Sequence, residues 1–188
     1  EEFKQLWRFT VSYLRDTKKV HHLLYSFSTA GDFTTLEEFM EFYPGDEWVD
    51  MLGFDDYSIQ STPESIARFQ NRLRIMVKTA EARGKVPALT ECGQEGVKQP
   101  DWYTQALLKN IQSDPLGRRI SYALVWRNAN TKHHYTPYPG HQSVPDFELF
   151  YKHEKTLFER DLVKFYKKPK VGKTAAASVS DARSTGMK

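Results

Sequence analysis

Four short segments that are apolar on both faces, each followed by a stretch with helical spacing, constrain this chain more than any other feature of its 188 residues. They lie at 21–27, 48–54, 86–90 and 120–126. A strand that is hydrophobic at nearly every position must be covered on both faces. Strands alternating with helices achieve this in a parallel sheet. The spacing of Phe3, Leu6, Trp7, Val11 and Leu14 predicts a helix over 3–17. Thr62-Pro63 is a cap followed by a proline at the first helical position, and it opens a predicted helix over 63–83 with Ile66, Phe69, Leu73, Met76, Val77 and Ala80 inward. Further helices are predicted over 101–113, capped by Asp101, and over 144–165. Overlapping capping boxes in Thr34-Thr35-Leu36-Glu37-Glu38 predict a short helix between the first two strands. From about Lys167 the text turns to Lys, Ala, Ser, Gly and Thr without period. Residues 1–166 are therefore expected to form the folded domain, and 167–188 a disordered tail or linker.

Several classes of function are disfavoured at once. The 27 basic and 24 acidic residues are interleaved, which makes a mixed surface rather than a nucleic-acid footprint. No apolar run approaches the roughly 18 residues of a membrane span. Cys92 is the only cysteine, so neither an intrachain disulfide nor a cysteine-based zinc cluster can form. His133, His134 and His141 invite a metal hypothesis, but no carboxylate stands at ligand spacing, so no metal and no cofactor are expected. Aromatic residues reach 14%, which leans toward carbohydrate binding because sugars need flat apolar faces. The chain opens inside a helix without an initiator Met, and we expect a fragment whose N-terminal part, with any export signal, lies upstream.

In a parallel β/α sheet the ligand site lies beyond the carboxyl ends of the strands. Those ends read Tyr25-Ser26-Phe27-Ser28, Gly53-Phe54-Asp55-Asp56-Tyr57, Leu89-Thr90-Glu91-Cys92-Gly93 and Val125-Trp126-Arg127-Asn128. They offer Glu91 and Asp55 as carboxylates, Tyr57 as a donor and Trp126 as a platform. A glycosidase needs such a set: a carboxylate nucleophile, a donor that aims it, and a surface for the sugar ring. The alternative is that both carboxylates merely cap the helices that follow. Trp102 either packs against the sheet or stacks on sugar. Phe27, Arg127 and His134 complete the candidate substrate-binding set.

Ala88-Leu89-Thr90-Glu91-Cys92-Gly93-Gln94-Glu95-Gly96 resembles the nucleophile strand of glycoside hydrolase family 26. The stretch from Tyr43-Pro44-Gly45-Asp46-Glu47-Trp48 to Asp55-Asp56-Tyr57 resembles that family's sixth strand and its approach. Val125-Trp126-Arg127-Asn128-Ala129, with Tyr138-Pro139-Gly140-His141 and Asp146-Phe147, resembles its eighth strand and the following loop. The resemblance covers residues 1 to 166 in order. It implies the C-terminal half, four β/α units, of an eight-stranded parallel barrel, and retaining cleavage of β-1,4-mannosidic bonds in mannan or manno-oligosaccharides. It also implies that Glu91 is the nucleophile, that Tyr57 hydrogen-bonds it with Asp55 alongside, and that Trp126 lies under the sugar. By the same resemblance the protein is expected to be secreted, periplasmic or at the cell surface.

The family's acid/base glutamate, in a His-Glu-Met-like segment, has no counterpart here, since the first strand matches the family's fifth. Retention needs two carboxyl groups about 5 to 5.5 Å apart. The chain alone is therefore expected to be inactive, its partner being the missing N-terminal half, unless Asp55, Asp56 or Glu95 substitutes as the acid. Two alternatives remain open: a mixed-linkage β-glucanase or xylanase of the same family, and a non-catalytic carbohydrate-binding module.

Overall fold

The structure, a computed structural model, describes residues 1–162; the tail expected over 167–188 lies outside them. The chain forms one compact unit, Glu1–His153, and a second unit from Glu154 whose described part holds a short helix, α6 (Glu159–Leu162). In the first unit four strands, β1 (Ser26–Ala30), β2 (Met51–Asp56), β3 (Val86–Cys92) and β4 (Ala123–Val125), pair in parallel in the order β1-β2-β3-β4. Sequential order without reversal is that of a barrel wall, not of a doubly wound sheet.

Helix α1 (Glu2–Ser12) runs into a π-helical turn, Tyr13–Thr17, before β1. α2 (Leu36–Met40) lies between β1 and β2 and begins with the expected capping box: Thr35 accepts from the Glu38 amide, and Glu38 reaches back to the Thr35 amide. α3 (Pro63–Ala82) joins β2 to β3, with the Thr62 hydroxyl capping the Ser65 amide. A π-helical stretch, Trp102–Leu108, continues as α4 (Lys109–Ser113), and α5 (Val144–Lys152) follows β4.

One core lies between sheet and helices, where Phe27, Leu52, Phe54, Leu89 and Cys92 meet Phe69, Leu73, Met76, Val77, Trp102 and Leu107, all essentially buried. Burying a side chain of this size contributes roughly 1.5–3 kcal/mol. The other sheet face carries Ser28, Gly53, Asp55, Thr90 and Glu91, with Met51 below them.

Five expectations need correction, one being the fourth strand, which is only Ala123–Val125 because a 3-10 turn, Gly117–Arg119, runs up to Ile120. The first strand starts at Ser26 rather than His21, because the apolar pair Leu23-Leu24 is exposed and Tyr25 is where bonding to Asp50 and Met51 begins. The second begins at Met51, since Asp46–Trp48 is a 3-10 turn, and it extends through Asp56. The last helix is broken: His153 is extended (φ −69°, ψ 137°), ending α5 at Lys152. Asp101 makes no side-chain cap on the helix after it. That role falls to Asp146 of α5, whose carboxylate accepts from the Tyr103 amide at 2.9 Å, the Thr104 amide at 3.2 Å and the Thr104 hydroxyl at 2.5 Å.

Candidate active site

β3 does not alternate regularly. Leu89 and Cys92 both lie in the core, three residues apart, so one residue has been inserted between them on the opposite face. The ladder records the insertion, because Phe54 pairs with Leu89 while Asp55 pairs with Glu91. Thr90 and Glu91 therefore both leave the core side. Bulges are found next to active sites, where they re-aim a side chain.

Glu91 meets Tyr57, whose hydroxyl donates to Glu91 Oε2 at 2.6 Å. Burial pushes the Tyr57 phenol up, and the Glu91 carboxylate adds to the shift, so the phenol stays protonated as a donor at any physiological pH. Tyr57 is backed edge-on by Tyr135, with ring centroids 5.6 Å apart. Tyr135 approaches so closely that a Cβ on Gly93 would stand 2.5 Å from its ring; Gly93 has φ +153°. The Tyr103 hydroxyl donates to the Tyr135 carbonyl, and the Asn128 side chain accepts from the Tyr135 and Thr136 amides, pinning this loop from two sides. Tyr135 and Asn128 are supports that the sequence reading did not assign.

Asp55 faces the same side as Glu91. Its Oδ1 accepts from the Ser28 hydroxyl at 2.9 Å, and Ser28 in turn lies 2.6 Å from the Thr90 hydroxyl. Burial raises the Asp55 carboxyl, the Ser28 and Thr90 hydroxyls pull it down, and the Glu91 charge raises it further; the net direction is upward. A carboxyl with a higher pKa folded than unfolded favours the fold while protonated. That contribution is complete below the unfolded value of about 3.9 and is lost as pH rises through the folded one. Asp55→Asn is expected to leave the melting temperature near wild type at about pH 3 and to raise it progressively toward pH 7, because the amide mimics the protonated acid. A difference between the two proteins that stays constant from pH 3 to 7 would contradict this.

Asp56 points the other way. It is 2% exposed and its Oδ2 lies 2.8 Å from Arg72 Nη1, itself 5% exposed, while Oδ1 accepts from the Ser58 amide and hydroxyl. Arg72 also donates to the Phe33 carbonyl. This buried pair fixes the turn that carries Tyr57.

Among the other residues singled out in the sequence, Trp126 is half-buried just past β4, and its amide donates to the Cys92 carbonyl at 2.9 Å, which places it beside the end of β3. Arg127 is exposed next to it. Three residues do not fit the substrate-binding role. Phe27 lies in the middle of β1 with its ring in the core against Trp7, Phe39 and Tyr43. Trp102 is fully buried, its indole N–H donating to the Ile59 carbonyl, so neither ring face is open to a sugar. His134 is 5% exposed, and both its ring nitrogens are sealed from the surface. Glu95 is exposed and lies 2.7 Å from His133 Nδ1. Among the described residues no group of three or more metal-ligating side chains occurs, and no helix is long and apolar enough to cross a membrane.

Comparison with known proteins gives a consistent result. Residues 1–144 match the description "Glycosyl hydrolase family 26". A mannan endo-1,4-beta-mannosidase of Bifidobacterium adolescentis is 32% identical over 178 residues, covering 83% of this chain and 17% of its own length. A family 26 β-mannanase structure from Bacteroides ovatus is 39% identical with a TM-score of 0.78, over 88% of this chain and 47% of that one. A modular endo-β-1,4-mannanase structure from Cellulomonas fimi is 32% identical with a TM-score of 0.80, over 88% of this chain and 38% of that one. The chain thus spans less than half the length of each. Sequence match, shared structure and the sequential parallel strands agree that this chain belongs to glycosyl hydrolase family 26, of whose barrel its four β/α units form the C-terminal half.

Proposed function

We propose that this chain supplies the nucleophile half of a retaining β-1,4-mannanase site, with Glu91 attacking the anomeric carbon of a mannosyl unit and an N-terminal half providing the acid/base carboxyl. The observation that carries the reading is the 2.6 Å hydrogen bond from Tyr57 to Glu91 at the carboxyl ends of parallel strands. A carboxylate so held has one oxygen fixed and the other available for attack. In the first step the Glu91 oxygen forms a bond to the anomeric carbon as the glycosidic C–O bond breaks, and the departing oxygen takes a proton from the second carboxyl. Water, giving a proton back to that second carboxylate, then bonds the anomeric carbon as the bond to Glu91 breaks. Trp126, beside the end of β3, is assigned to the sugar face, with Arg127 next to it. The mannanase names of the relatives support mannan as substrate. A polymer of that size is met outside the cytoplasm, which favours a secreted, periplasmic or cell-surface location.

The carboxylates in reach do not supply an acid. Asp56 is locked to Arg72, and Glu95 is turned to His133. Asp55 is the ladder partner of Glu91, so it stands beside the nucleophile, whereas the two carboxyls of a glycosidase flank the bond being broken. A missing half is further supported by the sheet edges. Phe3, Leu6 and Phe9 of α1 and Leu24 before β1 are exposed, as is Leu124 on β4. A cavity of about 540 Å³ lies along β1, lined by Phe3, Phe27, Ser28, Phe33 and Phe42 among others.

The isolated chain is expected to release no reducing ends from mannan, and to do so once the N-terminal half is added. Xylan and mixed-linkage β-glucan in parallel decide the substrate. Ordinary mannan hydrolysis by the chain alone, abolished by Glu91→Gln, would show that the acid lies within it.

A further inference from the structure

Ser28 on β1 and Thr90 on β3 are hydrogen-bonded at 2.6 Å although β2 runs between their strands. Adjacent strands lie about 4.8 Å apart, so strands one removed are separated by about 9.6 Å, and a side-chain bridge between them must pass over whatever the middle strand presents. Here the middle strand presents Gly53, the ladder partner of Ser28. A Cβ on Gly53 would stand 2.4 Å from Thr90 Cγ2, 2.6 Å from Thr90 Oγ1 and 3.0 Å from the Ala88 carbonyl oxygen. Rotating Thr90 does not relieve this, because both of its γ-atoms already lie over the glycine and a β-branched side chain has few χ1 wells to choose from.

We propose that Gly53 is a positioning residue for Glu91: its bare Cα is the gap into which Thr90 folds, and this lets the bulge at Thr90 turn Glu91 onto Tyr57. The proposal rests on the nucleophile reading of Glu91 but concerns a different feature, the space that makes the bulge possible. Thr90 is the inserted residue, and it shares the inner face with Glu91 only if its side chain has somewhere to lie. The Ser28 hydroxyl holds it there while donating to Asp55, so Gly53 allows one connected set, Thr90, Ser28 and Asp55, beside the Tyr57–Glu91 pair. With a side chain at 53, Thr90 must withdraw and carry Glu91 with it.

The test uses the complete enzyme with Gly53→Ala, Thr90→Ala and the double variant, reading kcat, KM and melting temperature on a manno-oligosaccharide. Gly53→Ala is expected to lower kcat by about 10²-fold with KM changed by less than about threefold, since displacement of a reacting group by about 1 Å is enough for such a loss. Thr90→Ala alone should cost less than about tenfold in kcat, and adding it to Gly53→Ala should recover at least about tenfold, because it empties the space the new methyl needs. If Gly53→Ala does not fold, Thr90→Leu, which overfills the same gap from β3, takes its place with the same expected kcat loss. Wild-type kcat in Gly53→Ala, or a double variant that regains melting temperature but not kcat, overturns the proposal. Failure of the nucleophile reading shows differently: Glu91→Gln would then be active, while a crystal structure of Gly53→Ala still reports whether Thr90 and the bulge have moved.

Discussion

Glu91→Gln, in a barrel completed by its N-terminal half, is expected to lower kcat on mannan by on the order of 10⁴- to 10⁶-fold, the scale seen when a covalent nucleophile is removed. The amide occupies nearly the same volume, and its carbonyl oxygen can still accept from the Tyr57 hydroxyl now 2.6 Å from Glu91 Oε2. Fold and substrate affinity should therefore survive. The amide is neutral, and with its oxygen held by Tyr57 it turns toward the anomeric carbon an NH2 whose lone pair is delocalised into the carbonyl, so no glycosyl-enzyme forms. Steady-state kinetics on the purified variant, with its melting temperature as a folding control, decide the matter. A loss below about tenfold in a folded protein would remove Glu91 from the nucleophile role.

Arg72→Leu should be the most destabilising single change at the site, by about 3–5 kcal/mol, the cost of stranding one partner of a buried ion pair. Arg72 and Asp56 are 5% and 2% exposed. Without the guanidinium, Asp56 keeps its two bonds from Ser58 but no cation, and Leu also leaves the Phe33 carbonyl without its donor. Urea unfolding of wild type and variant gives the difference, and a value below about 1 kcal/mol would show that water reaches Asp56 readily. The change should reach chemistry as well. Tyr57 stands between Asp56 and Ser58, and loosening that turn frees the hydroxyl from Glu91.

The course of the chain was readable where local chemistry decides it. Thr35 with Glu38, and Thr62 before Pro63, start helices by capping their own amides, which sequence displays directly. That Glu91 and Tyr57 meet at the strand ends, with Asp55 beside Glu91 in the ladder, was readable from their strand-end positions together with the family resemblance. What escaped depends on partners distant along the chain. Leu23-Leu24 has the hydrophobicity of a buried strand, yet nothing local says that β1 pairs only from Ser26 onward. That shift moved Phe27 from the strand end into the core. Trp102 is tied down by Ile59, 43 residues earlier, whereas His134 packs against Tyr138 and His141 of its own loop, a folding-back that no periodicity displays. The bulge at Thr90 is invisible because nothing in the sequence says that Cys92, three residues after Leu89, lies in the same core.

The capping of the Trp102–Leu108 helical stretch by Asp146 has a consequence for the order in which the molecule takes shape. The acceptor for the Tyr103 amide lies 43 residues farther along the chain. At a synthesis rate of about 5–20 residues per second it emerges from the ribosome roughly two to nine seconds after the helix it caps. In that interval the helix start has exposed amides and no docked α5 against Tyr103. The segment after β3 is thus left open until β4 and its long loop have been made. The strand that carries Glu91 is the earlier part to be synthesised, yet its surroundings are among the last to close.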